Sequence, residues 1–168
     1  MKTILDKYQL NITIQRLVHQ LMENHGDFNN SVLIGMQPRG IFLADKIVDL
    51  LKKIYADAIE YGKLDITFYR DDIRKHLHVP NQTNVSFSIE DKKVILIDDV
   101  LYTGRTIRAA LDALLDFGRP QKVELCVLID RRFSRQLPIQ PDYCGKAIDS
   151  IVSDKIKVEW DKEEVVLY

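Results

Sequence analysis

Asp98 and Asp99 are adjacent carboxylates at the end of an apolar run, Val94-Ile95-Leu96-Ile97. Val100-Leu101-Tyr102-Thr103-Gly104-Arg105-Thr106 follows at once. The apolar run reads as a buried strand and the residues after Thr106 as an amphipathic helix. Carboxylates accept hydrogen bonds from sugar hydroxyls and hold Mg2+ directly or through water. Backbone N–H groups at a helix start suit a phosphate, and Gly104 lets a ligand approach closely. Arg105 either adds a charge-assisted phosphate bond or points to solvent. The chemistry on offer is recognition of a phosphorylated sugar. A bare strand–turn–helix with an aspartate cap would explain an Asp-Asp pair alone, but not the whole run.

Such a site needs a scaffold that delivers several loops to one edge. Asn11–Asn24 reads as a helix, Ser31–Ile34 as a short strand, and Gly35–Gly40 as a tight loop leading into a helix over Ile41–Lys53. Leu64–Tyr69 reads as a strand, and the polar, aperiodic stretch Arg70–Asn84 as a mobile excursion. Val94–Ile97 is a strand, Thr106–Phe117 a helix closed by Gly118 and Pro120. Val123–Ile129 is a further apolar strand. Lys155–Trp160 and Glu164–Tyr168 read as short strands, a candidate hairpin. Apolar strands alternating with helices predict an α/β fold, a mainly parallel sheet covered on both faces. Ligands bind beyond the carboxyl ends of such strands. The loops Gly35–Gly40, Asp98–Thr106 and Asp130–Arg135 fall there, beside the start of the excursion.

The chain has 168 residues, 46% hydrophobic and 29% charged, with a net charge of −1. One domain over 1–168 fits that length. The near-neutral balance gives no global basic field for nucleic acid. No signal peptide and no membrane-length apolar run is visible. Cys126 lies in a strand-like run and Cys144 in a loop, without metal spacing, so both read as free thiols in a reducing cytoplasm.

The run Asp98–Thr106 resembles the phosphoribosyl-pyrophosphate (PRPP) motif of the type I phosphoribosyltransferases. Within them it is most similar to the pyrimidine operon attenuation regulators that are also uracil phosphoribosyltransferases. Leu64–Asp72, Gly118-Arg119-Pro120, Val127–Arg131, Leu137-Pro138-Ile139, Asp142-Tyr143 and Gly145-Lys146 follow the family's order. The resemblance implies a type I phosphoribosyltransferase fold with a small C-terminal hood, about 143–168, whose segment Tyr143–Trp160 would lie over the uracil, and a mobile loop over the site. It implies transfer of phosphoribose from PRPP to uracil, giving UMP and pyrophosphate, with Mg2+ as cofactor. Asp98 and Asp99 would hold ribose or metal, and Leu101, Tyr102, Thr103, Gly104, Arg105 and Thr106 the 5′-phosphate, with Val100 also among the substrate-binding residues. Gly35–Gly40 takes the place of the pyrophosphate loop, with Arg39 supplying charge beside Gly40. Pro38 makes a cis Gln37–Pro38 bond inexpensive. Gln37 stands where many relatives have a basic residue. Arg70 would meet the leaving pyrophosphate. Asp130 and Arg131 either shape the base pocket or pair with each other. His76 and His78 read as surface residues rather than a metal pair.

The resemblance further implies a homo-oligomer, dimer or larger, and regulation of pyr mRNA. Arg16, His19, Arg132 and Arg135 are the RNA-facing candidates. Gln15, Asn24 and Gln140 depart from the RNA-binding pattern. The alternatives are a transferase for another base such as hypoxanthine, or an RNA-binding regulator that uses nucleotides only as effectors.

Overall fold

Val94 and Leu96 enter one hydrophobic cluster while Ile95 and Ile97, between them, enter another. A strand that feeds two cores must lie inside a sheet covered on both sides. The computed structural model describes residues 1–71 and 83–168 and has that sheet at its centre. The elements run β1 (Lys2–Leu5), α1 (Lys7–His25), β2 (Ser31–Met36), α2 (Gly40–Tyr55), β3 (Glu60–Leu64), β4 (Lys93–Leu101), α3 (Arg105–Leu114), β5 (Lys122–Arg132), β6 (Tyr143–Asp149), β7 (Ile156–Glu159) and β8 (Glu164–Leu167). The main sheet is five-stranded, order β3-β2-β4-β5-β6, and every pairing in it is parallel. One cluster packs α1 and α2 on one face; the other packs α3 on the opposite face. A separate three-stranded antiparallel sheet, order β1-β8-β7, forms the hood.

Register places the site. Gly35 pairs with Ile97, so the loop after β2 emerges beside the acid pair. Asp98 pairs with Val127, which brings the end of β5 alongside. At Gly40 the first turn of α2 presses on β4. An added Cβ there would meet the Ile97 carbonyl oxygen at 2.6 Å and Asp98 Cα at 2.9 Å. Glycine is required by that approach.

Several elements differ from expectation, two of them for a local reason. Helix α1 begins at Lys7 instead of Asn11, because Asp6 forms a capping box. Its carboxylate accepts from Gln9 N–H at 2.8 Å, and Gln9 Oε1 accepts from Asp6 N–H at 3.1 Å. Leu64–Tyr69 is not a strand. The strand lies earlier, at β3, and Thr67–Tyr69 forms a short helical turn. The Asp65 carboxylate accepts from Thr67 N–H at 2.9 Å and from its hydroxyl at 2.6 Å, giving the backbone an alternative to the ladder. Helix α3 stops at Leu114 rather than Phe117. Strand β6 occupies a stretch read as loop, so Cys144 is on an edge strand of the main sheet. The separate sheet of the hood therefore starts after β6 and recruits β1 from the N-terminus. The Gln37–Pro38 peptide is cis. Both cysteines are free, and among the described residues no helix is long and apolar enough to cross a membrane. Of the expected excursion, Asp72, Arg74, Lys75, His76 and His78 lie outside the described residues.

Candidate active site

Strand β4 continues through the acid pair to Leu101; Asp98 pairs with Val127 of β5, and both aspartates are buried. Asp98 accepts the Asp99 N–H at 2.9 Å. Asp99 Oδ2 accepts from Arg39 Nε at 3.0 Å. Burial pushes the Asp98 carboxyl well above the ordinary carboxylate range, the neighbouring Asp99 charge adds to that, and Arg39 opposes it. An acid whose charged form is disfavoured in this way is stabilised as a carboxylate when a cation or hydroxyl donors arrive.

Beyond Asp98 opens a cleft of about 450 Å³. Its walls are Arg70, Asp98, Val100–Ile107 and Gln136. Gly104 sits at φ 92°, a left-handed conformation suited to glycine, and turns the chain from β4 into α3. The start of α3, with Arg105, Thr106 and Ile107 on the cleft wall, thus brings a helix N-terminus to the cleft, the arrangement that binds phosphate. Arg70 Nη1 lies 3.5 Å from Thr106 Oγ1. Arg105 donates to Gln136 Oε1 and to Asp71, both at 2.8 Å, and Arg108 also reaches Asp71. Among the described residues no group of three or more His, Cys, Asp or Glu side chains could cage a metal. Two carboxylates with one nearby arginine fit Mg2+ that takes its remaining ligands from water and substrate phosphates.

The sequence-predicted residues divide into three sets. Asp98, Arg70 and Val100–Thr106 line the cleft together. Asp99, Arg39 and Gly40 stand behind it: Arg39 is spent on Asp99 and on the Val158 carbonyl of the hood, at 2.8 Å. Asp130 and Arg131 do not pair with each other. Asp130 takes Arg135 at 2.6 Å, while Arg131 turns to the hood. The RNA-facing candidates are also largely engaged. Arg16 donates to the carbonyls of Cys144 and Gly145, and Arg132 pairs with Asp149. Arg135 points inward, donating to the carbonyls of Tyr102 and Ile139, both at 2.6 Å. It braces the phosphate loop, which is a different task from meeting RNA on the surface. His19 is exposed. Gln136 and Ile107 were missed. Gln136 is placed by its N–H on the Thr103 carbonyl at 2.9 Å, a long-range contact with no local sequence signal.

A family model described as the phosphoribosyl transferase domain matches residues 1–163. The bifunctional protein PyrR of Elusimicrobium minutum is 46% identical over 171 residues, covering 98% of this chain and 94% of its own length. PyrR of Bacillus subtilis is 41% identical over 163 residues, covering 95% and 90%. Among solved structures, a Trypanosoma cruzi hypoxanthine phosphoribosyl transferase superposes with a TM-score of 0.70 at 15% identity, covering 99% of this chain and 90% of the other. A Staphylococcus aureus hypoxanthine phosphoribosyltransferase gives 0.69 at 20% identity, covering 89% and 79%. Those two likenesses establish the fold; the sequence relatives establish the group. With the acid pair at a strand end, a helix start facing the cleft and matches over nearly its whole length, this chain belongs to the phosphoribosyltransferase family and, within it, to the bifunctional PyrR proteins.

Proposed function

We propose that the chain transfers the phosphoribosyl group of PRPP to uracil, forming UMP and pyrophosphate, and that it also regulates pyr mRNA in response to pyrimidine nucleotides. The observation that carries the transferase reading is the buried acid pair, with Asp98 on the cleft wall and Asp99 directly behind it. A buried acid left short of positive partners is costly unless a ligand supplies them. Identity of 41% and 46% to PyrR proteins, against 15% and 20% to hypoxanthine enzymes of the same fold, favours uracil as the base.

In the reaction the C1′–O bond to pyrophosphate breaks and the C1′–N1 bond to uracil forms, with the N1 proton passing to solvent. Asp98 and Asp99 orient the ribose hydroxyls and stabilise the positive charge that develops at C1′. The first turn of α3, with Thr103, Gly104, Arg105 and Thr106, anchors the 5′-phosphate. Arg70, on the cleft wall, meets the departing pyrophosphate, and Gly40 lets the loop at Arg39 lie against the acid strand. Asp98 and Asp99 would hold Mg2+ directly or through water, and the bound ion would supply positive charge for the leaving pyrophosphate. No general base is needed, since positioning carries much of the rate.

The test is a panel of bases with PRPP, Mg2+ and a chelator control. Uracil-dependent release of pyrophosphate that chelation abolishes is the expected result; turnover of hypoxanthine alone overturns the choice of base. The regulatory arm is measured by titrating the chain's own pyr leader RNA at several salt concentrations. Binding with a negative salt slope is expected, and no binding at low salt removes that arm.

A further inference from the structure

Arg131 was expected at the substrate, yet it is 6% exposed and absent from the walls of the cleft. Its guanidinium is used up on a turn of the hood. Nε donates to Ser150 Oγ at 3.1 Å, and Nη2 donates to the carbonyls of Ile151 at 3.3 Å and Asp154 at 2.9 Å. The turn also bonds to itself. Ile151 N–H donates to the Asp154 carboxylate at 3.0 Å, and Asp154 N–H to the Ile151 carbonyl at 3.1 Å. Ile151 and Val152 are 68% and 75% exposed, so this turn has no apolar core of its own to hold it. Fixing it costs chain entropy that the arginine and the internal bonds offset.

The carbon of the same guanidinium lies over the Tyr102 ring, 4.0 Å from its centroid. Tyr102 is a wall of the phosphate cleft. Its carbonyl is held separately by Arg135, itself anchored on Asp130. Among the described residues no carboxylate forms an ion pair with Arg131. A buried cation balanced by carbonyl dipoles and an aromatic face depends on a planar, multiply donating group, which lysine is not.

We propose that Arg131 is a positioning residue: it holds the Ser150–Asp154 turn of the hood in register with Tyr102, and so sets the base side of the site against the phosphate side without touching substrate. Arg135 braces the phosphate loop independently, so loss of Arg131 falls on the base and spares PRPP. This rests on the transferase reading above.

The test uses the full chain. Arg131→Lys keeps the charge and loses both the fork and the stack. The KM for uracil is expected to rise about 10-fold or more, with the KM for PRPP within about two-fold. Hydrogen exchange at the amides of Ile151 and Asp154 is expected to accelerate while the amides of β4 stay protected. Ser150→Ala, which leaves the arginine in place, is expected to move both readouts in the same direction by less. It carries the test if Arg131→Lys does not fold. Equal rises in both KM values, no rise in either, or unchanged exchange at the turn overturns the proposal. If the wild-type chain rejects uracil, the choice of base fails separately. The same split is then read with whichever base it accepts, and with no accepted base the exchange result alone decides.

Discussion

Two buried carboxylate clusters sit at opposite ends of one sheet, and the protein treats them in opposite ways. Glu124, near the start of β5, is fully partnered. Its Oε2 lies 2.8 Å from His25 Nε2 and accepts the Tyr143 hydroxyl at 2.7 Å, while Oε1 meets Lys122 at 2.8 Å. His25 Nδ1 in turn lies 2.7 Å from Ser31 Oγ. Burial pushes the Glu124 carboxyl up, but the bonds from Lys122, Tyr143 and His25 outweigh it and leave it below the ordinary range. Asp98, at the other end, has one backbone N–H and a like-charged neighbour, and sits well above that range. An acid that the fold satisfies is there to tie elements together. An acid that the fold leaves short is there for something that arrives later.

Exchanging the acids tests this contrast. The largest expected effect is on activity: Asp98→Asn with Asp99→Asn lowers kcat/KM by at least about 10³-fold while the chain stays folded. Full turnover in that double variant, measured by pyrophosphate release, would break the contrast at its functional end. Next is Glu124→Ala. It removes the acceptor shared by His25 and Tyr143 and is expected to cost about 3 kcal/mol in a urea titration, with KM values unchanged. A stable variant with impaired kinetics would show the two ends reversed.

The smallest effect is in pH dependence, measured on the metal-free chain. Glu124 has a lowered folded-state pKa, so its stabilisation is complete above the ordinary carboxylate value and is lost as pH falls through the lower folded value. Asp98 has a raised pKa, so the folded chain keeps a proton that the unfolded chain releases. Stability then declines as pH rises from the ordinary value through the raised one. Each slope is at most about 1.4 kcal/mol per pH unit. Glu124→Gln is expected to flatten the acid side of the stability curve, and Asp98→Asn the side above it. Curves that change on the same side would sink the assignment of opposite roles.

What could be read from sequence follows from where each signal lives. The β4–α3 segment was legible because its strand, acids, glycine and helix start are contiguous. The capping box at Asp6 and Gln9 was also local, and was overlooked because apolar periodicity sets in only later in the helix. Strands β3 and β6 were hidden by composition. Glu60-Tyr61-Gly62-Lys63-Leu64 and Tyr143-Cys144-Gly145-Lys146-Ala147-Ile148-Asp149 carry glycine and charge, as edge strands can when one side meets no neighbouring strand. The roles of Arg131 and Arg135 were not legible, because their acceptors are carbonyls and side chains distant in space from any motif. The resemblance supplied the fold and the cleft but not this bracing, in which Arg135 turns inward.

Gly40 has a bearing on lineages that have given up catalysis. Its backbone contact with Asp98 is a demand of packing, felt whether or not a ligand ever enters the cleft. A descendant released from selection for turnover could exchange its acid pair for neutral residues at little cost, and could gain stability by doing so. It could not place a side chain at position 40 without prying α2 away from β4. The glycine is therefore a fossil of the architecture and says nothing about present activity, whereas under the proposed function the two aspartates carry that information.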